Sequence, residues 1–358
     1  MLMTRLAFSL VVFALVIAGS APAQVLPAVS QELLTRAESG DAQAQFELGR
    51  AYEDGKGVPQ DDTLAAEWFR KSAEQGNAQA QNSLGVMYAL GRGVQRDKEE
   101  AVRWYKKAAK QDMAEALYNV AISYYNGEGV GEDLTAAYAW MTLAQSKGDP
   151  QAAEALKRMA GELRAGLSVS KFQLARMYET GDEIPQDSAR AIDLYRQIAA
   201  DDPNFRNGIA QFKLCQKYGN GEGVEKDLSQ AKSWCRLAAK QGNSSAYLVL
   251  GLAAERGLGG PIDLKEASDW YEDAAIVGTS AGFMFSGELK LKTGSHDDQK
   301  AAYYWFFLAQ KYKIPGSDTK LQQASIGLTD KEIAEQQKKA TKWLREPHNE
   351  RMSKLRLH

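Results

Sequence analysis

Apolar residues along this chain come four apart, pause at a pair of glycines, and return in a second short run. Ala44, Leu48 and Tyr52 mark one helical face, Gly55 and Gly57 interrupt it, and Asp61 precedes Ala65, Trp68 and Phe69. Adding 36 gives Ala80, Leu84, Tyr88, Gly91, Gly93, Asp97, Ala101, Trp104 and Tyr105. A further 36 gives Ala116, Val120, Tyr124, Gly127, Gly129, Asp133, Ala137 and Trp140. The register returns with Leu174, Leu214 and Leu250, and a degraded last copy takes Phe285 as anchor with Trp305 and Phe306.

Each copy predicts a helical hairpin. Glycine ends the first helix because it enters left-handed backbone space cheaply. The aspartate sits where the second helix starts and can accept from free backbone N–H groups. Small residues at Gly49 and Ala65 allow close helix approach, with Trp68 expected to fill the groove. One hairpin cannot bury its apolar face alone, so the copies must stack.

The ends and interruptions divide the chain. Ala37 to Gln45 parallels Ala73 to Gln81, so residues 24–40 predict an orphan helix capping the array. Repeats one to three occupy 41–148, and an inserted helix lies within 149–170. Repeats four to seven occupy 171–312, and a helical tail runs over 313–358 with Thr329 as a cap. The tail is basic, with 8 Lys/Arg against 4 Asp/Glu from Lys331 to His358. That suits either anionic lipid or peptidoglycan, or a solvated capping segment.

The pattern A-x-x-x-L-G-x-x-Y-x-x-G-x-G-V-x-x-D followed by A-x-x-W-[YF] resembles the Sel-1-like repeat family, a relative of the tetratricopeptide repeat. The resemblance covers roughly three quarters of the chain. It implies an all-α, right-handed α/α superhelix of about seven helix-turn-helix repeats, and a scaffold or adaptor role often found in bacterial envelopes. It carries over no partner, because the signature is structural.

Residues 1–23 read as a cleaved secretory signal: Arg5, an apolar run from Leu6 to Ala18, then Ala21-Pro22-Ala23 before Gln24. The run is too short for a spanning helix, and no cysteine follows the cleavage site as a lipoprotein would require. A periplasmic or secreted location is therefore expected. The formal charge of −2 gives no argument for nucleic acid.

Motifs for chemistry are thin, and neither catalytic, cofactor nor metal residues are expected. The G-x-G loops lack the third glycine and preceding strand of a dinucleotide site. Ser168-Val169-Ser170-Lys171, Ser229-Gln230-Ala231-Lys232 and Lys292-Thr293-Gly294 have the shapes used by serine β-lactam hydrolases, but K-T-G there lines a strand and this chain predicts none. His296, His348 and His358 have no metal spacing. Cys215 takes the Gly49 position and Cys235 the Phe69 position of one copy, which suggests either a disulfide between facing helices or two buried thiols in contact.

By analogy with related solenoids, first helices line a concave face. Its outward positions are Phe46, Arg50 and Glu53; Asn82 and Val86; and Tyr118, Ile122 and Tyr125. They continue with Phe172, Arg176, Phe212, Gln216 and Phe283. Aromatics and arginines dominate binding hot spots, although the Phe46-type position could equally pack between neighbouring helices. The expected function is an exported scaffold that holds another envelope protein. A peptidoglycan- or glycan-associated envelope factor is the first alternative, and a serine hydrolase acting on β-lactams, disfavoured by the missing strand, is the second.

Overall fold

A computed structural model describes residues 29–163, 166–201 and 205–356, and the signal segment and cleavage site lie outside them. The described residues are helical throughout and contain no strand. They form two compact units, one ending at Asp187 and one starting at Ser188.

The first unit holds α1 (Gln31–Glu38), α2 (Ala42–Asp54), α3 (Asp62–Glu74), α4 (Ala78–Leu90) and α5 (Lys98–Ala109). It continues with α6 (Ala114–Asn126), α7 (Leu134–Ser146), α8 (Ala152–Leu163) and α9 (Leu167–Thr180). From α1 to α8 each helix packs on its successor, and α7 also contacts α9. The second unit holds α10 (Ser188–Asp201), α11 (Phe205–Asn220), α12 (Leu228–Lys240), α13 (Ser244–Arg256) and α14 (Leu264–Ile276). It ends with α15 (Ser280–Thr293), α16 (His296–Lys311), α17 (Ser317–Ser325), α18 (Asp330–Arg345) and α19 (His348–Met352).

The repeat residues explain this stacking. Asp61 Oδ1 accepts from the backbone of Thr63 and Leu64 at 2.9 and 3.0 Å, and Asp97, Asp133, Asp227 and Asp263 cap their helices in the same way. Each such cap contributes about 1 kcal/mol. The small residue after the anchor is needed by the ring facing it: a Cβ on Gly49 would stand 2.7 Å from Phe69 Cδ1. The ring that seals each hairpin is thus Phe69, fully buried, rather than Trp68. Trp68 packs instead against Ala37, Ala44 and Leu48, toward the preceding helices.

Glutamine supplies a second, polar register. Gln45 Nε2 donates to Ala37 O at 3.1 Å and Gln81 Nε2 to Ala73 O at 3.0 Å, each eight residues back. Gln75 then donates to Gln45 Oε1 at 2.7 Å and Gln111 to Gln81 Oε1 at 2.9 Å, linking successive repeats. In the second unit Tyr247 reaches the matching carbonyl of Ala239 at 2.8 Å. Buried helix-end carbonyls are satisfied at a fixed offset, as buried polar groups must be.

The last copy corrects the expected register. Ser286 is fully buried at the anchor position, while Phe285 is 38% exposed. Gly287 faces Phe306 as Gly251 faces Tyr271, but with a glycine-to-ring spacing one residue shorter, so the anchor moves by one. Phe283 consequently falls at the Gln45/Gln81/Tyr247 position and is 2% exposed. Its ring centroid lies 5.7 Å from that of Trp343 and 5.1 Å from that of Tyr312. Phe283 is core, not open surface.

The basic tail is docked rather than free. Thr329 starts α18 with a reciprocal capping box to Glu332, and α18 packs on α16. Arg356 pairs with Asp269 and with Glu272, and its backbone N–H donates to Asp273 Oδ1. Asp273 is fully buried, and its Oδ2 has no partner. Burial pushes its carboxyl up to about 6, against the pull of Arg356. A raised carboxyl pKa means the folded state binds the extra proton. The stabilisation is complete below about pH 4 and lost as pH rises through about 6. Asp273→Asn should therefore raise stability at pH 8 by roughly 1–2 kcal/mol and flatten the dependence between those limits. Melting curves of both proteins at pH 4.5 and 8 check this, and an equal penalty at both would sink it.

Candidate partner-binding surface

Helices α2, α4 and α6 lie side by side in the first unit, and their shared face forms an open groove of about 720 Å³. Seven expected residues line it. Phe46, Arg50 and Glu53 come from α2, Asn82 and Val86 from α4, and Tyr118 and Ile122 from α6. They form rows because the offset between copies is constant: Phe46, Asn82 and Tyr118 make one row, Arg50, Val86 and Ile122 the next.

These residues are not equally open. Arg50 is exposed, Val86, Tyr118 and Ile122 are half-buried, and Phe46 and Asn82 are only 9% and 3% exposed. Phe46 is both wall and core, since its ring lies 5.8 Å from that of Phe69. The remaining expected positions fall elsewhere. Tyr125 donates to Glu162 at 2.9 Å beyond the groove, and Phe172 and Arg176 sit on α9. Phe212 and Gln216 are on α11 in the second unit, half-buried and exposed respectively.

Charge in the groove is organised around Glu53. Arg92 reaches Glu53 at 3.3 Å and Asp62 at 2.8 Å, while Arg50 lies 3.7 Å from Glu53 and 3.6 Å from Asp54. Burial raises the Glu53 pKa despite both arginines, and burial also raises the pKa of the Tyr118 phenol. Further lining groups escaped the sequence offsets. Glu115 and Asn119 share a stripe on α6 with Tyr118 and Ile122, so helical spacing could have added them. Arg92 and Asp149 come from connections, where no periodicity points to them.

The serine-hydrolase shapes are dispersed on helices. Lys292-Thr293-Gly294 closes α15 with Gly294 as a left-handed cap, and Lys292 pairs with Glu255. Lys232 on α12 pairs with Glu266 at 3.0 Å. Cys215 and Cys235 join α11 to α12 with a Cα separation of 5.2 Å and sulfurs 2.07 Å apart. Among the described residues no helix is long and apolar enough to cross a membrane.

Stacked hairpins sharing one open face define an α-helical repeat protein. The family model for the Sel1 repeat matches residues 42–77, 78–113, 114–149, 168–202, 208–243 and 244–276, and the chain belongs to that family. It is 35% identical over 105 residues to the chitin synthase regulator SKT5 of Saccharomyces cerevisiae, covering 28% of this chain and 14% of that protein. It is 30% identical over 161 residues to the exopolysaccharide production negative regulator of Rhizobium leguminosarum, covering 42% of this chain and 60% of that protein. The chain thus spans less than two thirds of either relative. Among solved structures, a protective antigen of uropathogenic Escherichia coli is similar at 25% identity, with TM-score 0.36 and coverage of 90% of this chain and 88% of that one. A Sel1 repeat protein from Oxalobacter formigenes is similar at 29% identity, with TM-score 0.32 and coverage of 68% and 88%.

Proposed function

We propose that this chain is an exported adaptor that holds a segment of another envelope protein in the groove over α2, α4 and α6. The carrying observation is that groove: rows of aromatic, aliphatic and polar side chains, from buried Phe46 to exposed Arg50, at one constant repeat offset. Its aromatic and arginine side chains are of the types enriched at binding hot spots. The relatives are named as regulators, which supports action on other proteins rather than on a substrate. A cysteine pair bonded across two helices suits an oxidising compartment, as does the signal-like segment before Gln24.

A photo-cross-linker at Tyr118 should trap a discrete envelope protein, whereas one at Arg103, exposed on α5, should not. Equal trapping at both sites, or at neither, would overturn the groove assignment. In the same fractionated cells the mature protein should begin at Gln24, and a chain retaining Met1 would refute export. Association with peptidoglycan or another glycan is the second reading, favoured by relatives whose names concern chitin synthase and exopolysaccharide production. Sedimentation with purified sacculi, insensitive to Tyr118→Ala, would support it instead.

A further inference from the structure

The groove holds polar groups that the fold itself leaves unmet. Asn82 Oδ1 accepts from Asn119 Nδ2 at 3.0 Å. Among the described residues, Asn82 Nδ2 has no acceptor, Asn119 Oδ1 has no donor, and the Tyr118 hydroxyl makes no hydrogen bond. Asn82 is 3% exposed and lines the groove, so its unmet amide faces that space. A donor beside an acceptor is the complement of a peptide main-chain amide.

Charge gives the second, independent argument. The lining carries five carboxylates, Glu53, Asp54, Glu115, Glu128 and Asp149, against the guanidiniums of Arg50 and Arg92. Both guanidiniums are engaged with Glu53, Asp54 or Asp62, and Glu128 pairs with Lys98 at 2.9 Å. No ion pair within 4 Å engages Glu115 or Asp149 among the described residues, although Arg158 acts with Asp149 on the Tyr118 phenol and Asp149 caps the start of α8 through the N–H groups of Gln151 and Ala152. Both carboxylates stand at the α6 end of the groove, beside Tyr118.

We propose that the groove takes an extended peptide segment bearing a lysine or arginine. Its main-chain amide meets Asn82 and Asn119, its cation meets Glu115 and Asp149, and its neighbouring apolar side chain rests on Val86 and Ile122. The inference rests on the adaptor reading and specifies its ligand. Three helices side by side span about 20 Å, which accommodates about six extended residues.

The test is a positional scan of immobilised peptides of about eight residues, probed with the full mature chain. Lysine or arginine should be selected over glutamate by about tenfold at one or two adjacent positions. Added salt should reduce the selection. Glu115→Gln combined with Asp149→Asn should weaken binding of the selected peptides about fivefold and abolish the basic preference. Asparagine keeps the cap on α8, so the variant should fold. Selection of acidic or purely apolar peptides, or a basic preference that survives the double variant, overturns the proposal. Tyr118 cross-linking would then still decide the adaptor reading by itself. Loss of both peptide selection and cross-linking removes the two together.

Discussion

Trp104→Ala should destabilise the first unit by about 3–5 kcal/mol, while Tyr118→Ala should leave its unfolding almost unchanged. Trp104 is 7% exposed and belongs to the core cluster of Phe46, Ala66, Phe69, Leu84 and Met87. It therefore seals one repeat against the one before. Its indole N–H has no partner, so truncation strands no hydrogen bond and the cost is the cavity. The Lys107 ammonium lies 3.5 Å from the ring centroid and adds a cation–π contact that is also lost. Tyr118 sits half-buried on the groove wall and should instead weaken partner binding by roughly 1–3 kcal/mol. Denaturant unfolding followed by helical circular dichroism, paired with cross-linking yield, reads both effects. If Tyr118→Ala unfolds as Trp104→Ala does, the row is core and the binding surface lies elsewhere. Phe46→Ala is not a clean probe, because its ring packs on Phe69.

The repeat was legible because its physics is local and periodic. Asp61, Asp97 and Asp133 stand where three helices need an acceptor, and Gly49 and Gly85 stand where a ring needs room. The second loop glycine was legible as a turn but not for its other reason: a Cβ on Gly93 would stand 1.9 Å from Asp62 O in the preceding repeat. That constraint belongs to stacking and leaves no trace within one copy. Phe283 shows how a constant offset fails. The anchor-to-ring spacing there is one residue shorter, which shifts the assigned face by one position, about 100° of helix, and a residue assigned to solvent becomes core. Arg92 and Asp149 enter the groove from connections, and Arg356 meets Asp273 across 83 residues. Such meetings follow from packing of whole elements, so sequence spacing carries no sign of them.

Reduction of the Cys215–Cys235 bridge should destabilise the α11–α12 hairpin by roughly 3 kcal/mol, the chain-entropy value for a loop of about 20 residues. The two cysteines replace a pair that other copies fill with glycine and a ring, as at Gly85 with Tyr105 and Gly251 with Tyr271. Both are buried, at 3% and 0% exposure, so reduction also leaves two small side chains where a ring would fill the space. That substitution suggests its own control. Cys215→Gly combined with Cys235→Tyr restores the repeat pair and should fold with normal helicity and no sensitivity to reductant. Cys215→Ser with Cys235→Ser should be the least stable, because it buries hydroxyls in a slot built for apolar contact. Hydrogen exchange over α11 and α12, measured with and without reductant, ranks the three proteins locally. Oxidised protein that alkylates fully when unfolded without reductant would show that the thiols are free in solution. Exchange in α11 and α12 that ignores reductant would show instead that the bridge does not hold the hairpin together.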